Sequence, residues 1–174
     1  LGSRGGGEGP PPAPMDFEAR RRLTCHIEAI THPDRSAAAP DPALLKAIKG
    51  MAKASEDNVR SAFEVLYDRL KANHSQTRLL AMMVMDELFQ RSKTFRGLLV
   101  PELVTFLELT VGTKVDKPLP PPRPAAASLR ERTLEVLHGW NSKFGAVYKQ
   151  IPLGCKYLRD NLRLAVPGGG GGGG

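Results

Sequence analysis

The stretch 79–88, LLAMMVMDEL, is apolar at eight of its ten positions, and only Asp86 and Glu87 interrupt it. At about 100° per residue these apolar positions cover nearly the whole circumference of a helix. A soluble helix that is apolar all round has no face that can profitably meet water, so other helices must enclose it. Ten residues are too few to span a bilayer, which needs about 20. The chain must therefore build a shell around 79–88, and the remaining segments are read for their capacity to supply one.

The candidates are helical. Leu23, Ile27 and Ile30 recur on one face of a run opening near Asp16, a residue suited to capping; His26 and Cys25 within it read as packing residues. Three prolines break the chain across 31–42. Asp41-Pro42 then starts a second helix, in which Leu45, Ile48 and Ala52 form a stripe that should bury Ala52 against the third helix. Ser55 caps that third helix, with Val59, Ala62, Phe63, Leu66 and Leu70 at helical spacing. The short turn at Asn73-His74-Ser75 makes the third and central helices an antiparallel hairpin. Phe95, Leu98 and Leu99 belong to a short helix, and Pro101 opens the next one.

Proline again decides the organisation beyond Val111. The segment 112–124 reads as a stiff proline-rich linker; its PLPPPR carries the PxxP spacing of polyproline II ligands, a weak docking signal beside the connector role. A long helix is expected over 125–150, with Leu129, Val136, Leu137, Trp140, Phe144 and Val147 along one side. Gly139 and Gly145 inside it each cost about 1 kcal/mol relative to alanine, marking a close approach or a kink. Pro152 starts a final helix with Leu153, Tyr157 and Leu158 apolar. The organisation read from the sequence is a disordered Gly/Pro-rich leader (1–15), a helical superhelix (16–111), the linker (112–124), a basic helical extension (125–164) and a glycine-rich tail (165–174). No strand period appears, and the fold class is all-α.

The formal net charge of +7 points to an acidic partner, whether nucleic acid, anionic lipid or an acidic protein surface, and does not choose among them. Direct nucleic-acid contact stays open. Arg91, Lys93 and Arg96 follow the central helix and form a candidate acid- or phosphate-facing patch. The two cysteines, Cys25 and Cys155, make no CxxC or Cys/His cluster, which argues for a reducing compartment and against zinc. No nucleophile elbow, phosphate loop, HExxH or calcium loop is present, and the four histidines have no metal-ligand spacing. Asp86 and Glu87 are helix neighbours pointing about 100° apart, so they do not form a catalytic pair. The reading is a binding module rather than an enzyme, with no cofactor, no metal and no membrane span.

The run ELFQRSKTFRGLLV, then FLELTVGT, PLPPPR and WNSKFGAVYKQIPLGCKYLR, resembles the N-terminal region of the UV-stimulated scaffold protein A family over about residues 44–163. The resemblance implies a right-handed superhelix of antiparallel helices, VHS/ENTH-like, with a C-terminal helical extension. It also implies a nuclear, chromatin-associated scaffold of transcription-coupled nucleotide excision repair. Such a scaffold joins the stalled RNA polymerase II elongation complex through the Cockayne syndrome A protein. Longer members recruit TFIIH and a ubiquitin-specific protease, and the TFIIH-binding stretch has no counterpart here. Two other modules share the expected fold: a trafficking adaptor for ubiquitin, sorting signals or phosphoinositide, and an RNA polymerase II tail-binding domain. Trp140 is read as core. The docking contact is placed instead on the polar-aromatic rim of the extension, Lys143, Tyr148, Lys149, Lys156 and Tyr157.

Overall fold

A computed structural model describes residues 17–165. The expected leader, the Asp16 cap and the glycine tail lie outside the described residues. Within them the chain is all-α: α1 (Phe17–Ile30), α2 (Pro42–Ala54), α3 (Glu56–Leu70), α4 (Ser75–Arg91), α5 (Lys93–Leu99), α6 (Leu103–Val111), α7 (Arg123–Phe144) and α8 (Gln150–Ala165). The consecutive packed helices form the VHS/ENTH-like superhelix.

The starts follow the sequence signals. The Asp41 side chain accepts the Leu44 N–H at 3.0 Å, with Pro42 in the first turn of α2. That backbone bond, assisted by the N–H of Ala43 and the nearby Arg35, holds the Asp41 carboxyl below its usual value. Ser55 caps α3 through Asn58, and Ser92 caps α5 through Phe95, each at 3.0 Å. His74 caps α4, its Nδ1 accepting the Gln76 N–H at 3.2 Å. Pro101 does not open a full helix: it sits in a 3-10 turn, Val100–Glu102, that leads into α6.

Helix α4 occupies the centre. Leu80, Ala81, Met82, Val84 and Met85 have no exposed surface, and α3 and α7 are its main neighbours. Burying the leucine, methionine and valine side chains stabilises by about 1.5–3 kcal/mol each relative to exposure. Ala52 is buried, as its stripe requires. Cys25, expected to pack, faces solvent instead, because Leu23 and Ile27 take the inward positions on either side of it.

The segment after α6 is shaped by contacts rather than by stiffness alone. Gly112 ends α6 in the left-handed region at φ 75°, and Leu119 folds back to within reach of it. The carbonyl of Pro120 accepts the Ser75 hydroxyl at 2.5 Å, and that of Pro121 accepts the Ser75 N–H at 3.0 Å. The segment is thus seated on the first turn of α4, and α7 starts there. A single hydrophobic core runs on through Leu129, Leu137, Trp140, Ile151 and Leu158 of α7 and α8.

The long helix ends sooner than expected. It stops at Phe144, and α8 begins at Gln150 rather than at Pro152. A Cβ at Gly145 would collide with the backbone carbonyl of Asn141, so only glycine fits this C-cap. Gly139, by contrast, has open space around it. The close approach lies at Gly154, where a Cβ would stand 2.8 Å from Cδ2 of Leu103.

Candidate docking surface

Four arginines are turned back onto the fold. Arg35 donates to the Ala29 carbonyl (2.7 Å), Arg78 to Ala72 and Leu109 (2.8 Å each), Arg96 to Phe89 (2.7 Å) and Arg130 to Val111 (3.0 Å). Each satisfies carbonyls in or just after the last turn of a helix, where a cation also favours the helix dipole. Part of the basic excess is therefore spent inside the molecule. Lys46, Lys53, Lys143, Lys149, Lys156 and Arg91 remain exposed.

Around the end of α4 the structure brings together one member of each group of candidate residues, Arg96 and Lys143. The Trp140 indole is fully buried and stacks on Phe89 at 3.8 Å and 16°. Its Nε1–H donates to Oδ1 of Asp86 at 2.7 Å, while Gln90 donates to the same oxygen at 3.1 Å. Glu87 turns the other way, to Lys49 at 3.4 Å, so the neighbouring carboxylates serve separate partners. Gln90 Oε1 accepts from Lys143 Nζ at 3.1 Å. The Arg96 guanidinium lies over the Phe144 ring at 4.4 Å, and that ring meets Phe89 edge-on. Of the expected basic patch, Arg91 and Lys93 are exposed; Arg96 is half-buried and committed to Phe144 and the α4 carbonyls.

The five rim residues are not equivalent. Lys143, Lys149 and Lys156 are exposed, whereas Tyr148 and Tyr157 are half-buried. The Tyr157 hydroxyl is 3.1 Å from Oγ1 of Thr113, tying α8 to the end of α6. Lys143 turns toward α4, so these two residues serve different neighbours. Burial pushes the Cys155 thiol up, with Arg159 opposing the shift.

Two residues that the helical period assigned to packing lie outside. Val147 is 74% exposed and Leu153 64% exposed. Val147 lost its inward position because α7 ends before it; the turn is closed by the Val147 and Tyr148 N–H groups donating to Phe144 O. Gly145 was the one sequence signal for this change of phase. The turn 145–149 and the start of α8 thus present two exposed aliphatic side chains among Lys143, Lys149 and Lys156. Such a pattern, an apolar centre with a polar rim, suits a protein partner. Among the described residues, no group of His, Cys, Asp or Glu is placed to hold a metal ion, and no helix is long and apolar enough to cross a membrane.

The profile of the UVSSA N-terminal domain matches residues 19–162, from α1 into the last turns of α8. The chain belongs to the UV-stimulated scaffold protein A family. A mouse UV-stimulated scaffold protein A is 45% identical over 120 residues, covering 69% of this chain and 17% of the relative. An Arabidopsis thaliana homolog is 42% identical over 127 residues, covering 73% of this chain and 19% of the relative. A zebrafish (Danio rerio) relative is 31% identical over 146 residues, 84% of this chain and 20% of its own length. The chain therefore spans about a fifth of the length of these relatives, and the family match covers α7 and α8 together with the superhelix.

Proposed function

We propose that this domain is a non-enzymatic docking module of a scaffold in the UV-damage response, acting in transcription-coupled nucleotide excision repair in the nucleus, at chromatin. Its docking partner is the Cockayne syndrome A protein, through which it joins the stalled RNA polymerase II elongation complex. TFIIH and a ubiquitin-specific protease would be gathered by parts of the longer scaffold. Membership of a family whose members are named UV-stimulated scaffold protein A supports the role. The docking surface is the α7–α8 turn, and the observation that carries it is the exposure of Val147 and Leu153 beside Lys143, Lys149 and Lys156. Aliphatic side chains at a helix corner gain from burial on association, while the lysines set orientation and steer an acidic partner. Arg91 and Lys93 extend the basic surface past the end of α4.

The test uses charge insertion rather than the tyrosines, which help hold α8 in place. Val147→Glu with Leu153→Glu, and separately Lys149→Glu with Lys156→Glu, are compared with the unaltered chain for co-purification with Cockayne syndrome A. Both variants should keep their circular dichroism and melting temperature and lose at least about tenfold in affinity, or about 1.4 kcal/mol. Undiminished co-purification of both folded variants would overturn this placement.

A further inference from the structure

We propose that a second surface, the groove between α2 and the α4–α5 corner, takes a short acidic amphipathic peptide segment of a partner protein. The groove encloses about 880 Å³. Its floor is apolar, formed by Ala52 of α2, Val59 of α3 and Leu88 of α4. Its rim is basic. Lys46, Lys49 and Lys53 stand at i, i+3 and i+7 on one side of α2, and Arg91 faces the groove from the end of α4.

The charges on this rim are largely unspent. Lys49 pairs with Glu87 at 3.4 Å. Lys46, Lys53 and Arg91 make no ion pair among the described residues, and the one lining carboxylate, Glu56, faces Arg60 at 3.9 Å. Like charges at helical spacing repel one another weakly. That small cost turns into attraction when an acidic segment lies along the row.

Gly50 adds an independent observation. It lies inside α2, lines the groove, and a Cβ built on it would meet no atom within 4 Å. Glycine is among the least favourable residues in a helix interior, and here no close packing accounts for it. Its missing side chain leaves the mouth of the groove open.

Size and lining together select the ligand class. The volume falls in the range of roughly 300–1,000 Å³ typical of ligand pockets rather than of a broad protein interface. A nucleic-acid backbone or a free phosphate would use the lysines and gain nothing from Ala52, Val59 and Leu88. A helical peptide with apolar anchors at i, i+3, i+4 and i+7 and flanking carboxylates uses both. This site is built from α2, α3, α4 and α5 and shares only Arg91 with the basic surface beside the α7–α8 turn, so Gly50 and Lys53 test it separately.

The probe is a fluorescein-labelled synthetic peptide with leucines at that helical spacing and glutamates on its flanks, followed by fluorescence anisotropy. A matched peptide with serine for leucine and a short DNA duplex serve as comparisons. The leucine peptide should bind, weaken with salt, and shift the amide resonances of Gly50, Lys53 and Ser92 in nitrogen-15 correlation spectra. Gly50→Phe, which fills open space, and Lys53→Glu with Arg91→Glu, both at exposed positions, should each reduce its affinity by about tenfold or more in a protein that still unfolds in one cooperative transition. Equal binding of the serine peptide, or binding of duplex DNA with the same sensitivity to both variants, would reduce the groove to a general anion surface and overturn the proposal. Unchanged leucine-peptide affinity in both variants would overturn it as well.

Discussion

Replacing Trp140 with alanine asks whether α7 belongs to one cooperative core. The indole has no exposed surface, stacks on Phe89 at 3.8 Å and donates to Asp86 at 2.7 Å. A buried tryptophan removes roughly 200 Å² from water, worth about 5 kcal/mol at 25 cal/mol per Å². Alanine retains part of that and the surrounding side chains relax partway, so the expected loss is about 3–5 kcal/mol. The lost hydrogen bond adds little, since Asp86 is half-exposed and water can replace the indole. With a urea slope near 2 kcal/mol/M, the unfolding midpoint should fall by about 2 M. Trp140→Phe keeps an aromatic ring against Phe89 but leaves part of the indole's volume empty, and should cost about 1–2 kcal/mol. Urea unfolding is followed by far-ultraviolet circular dichroism and, independently, by pulse proteolysis. A single transition moved to lower urea by both probes is expected. An unmoved midpoint, or an early separate loss of a minor share of helix, would make α7 and α8 an appendage and refute the reasoning.

Three further outcomes are expected. Gly139→Ala should raise stability by about 1 kcal/mol because its surroundings are open, while Gly145→Ala should lower it because the new Cβ meets the Asn141 carbonyl; melting temperatures moving in the same direction would contradict this. Gly154→Val should cost about 1–3 kcal/mol by driving α8 off Leu103, and Gly154→Ala less, which a chemical denaturation series would show. The raised Cys155 pKa means less thiolate at any given pH, so its alkylation rate should keep climbing above the pH, about 8.5, where an ordinary thiol is half ionised. Peptide mapping after iodoacetamide treatment should find exposed Cys25 modified before half-buried Cys155, and the reverse order would contradict the burial assigned here.

The candidate surfaces show where a one-dimensional reading stops. Lys143, Lys149 and Lys156 were legible as exposed cations because lysine is seldom buried. Arg96 looked the same in sequence, yet it folds back on Phe89 and Gln90 and covers Phe144. Val147 fits the apolar period of a helix through residue 150, and its exposure follows from the end of α7 at Phe144. The groove had no sequence signature: its lysines, its glycine and its apolar floor come from three segments whose adjacency depends on the packing of α2 against α3 and α4.

What the sequence determined by itself was local. The unbroken apolar run 79–88 required an enclosed central helix, and Asp41, Ser55, Pro42 and the long apolar periods set where helices start and which faces they bury. These are properties of neighbours a few residues apart, governed by backbone geometry, capping and helical periodicity. Only the tertiary structure decided that Ser75 would hold the proline segment, that Asp86 would receive the Trp140 indole, and that Arg35, Arg78, Arg96 and Arg130 would close helix ends. The physical reason is distance along the chain. A hydrogen bond between residues 86 and 140 leaves no periodic trace in sequence, because its geometry exists only after the intervening helices have packed.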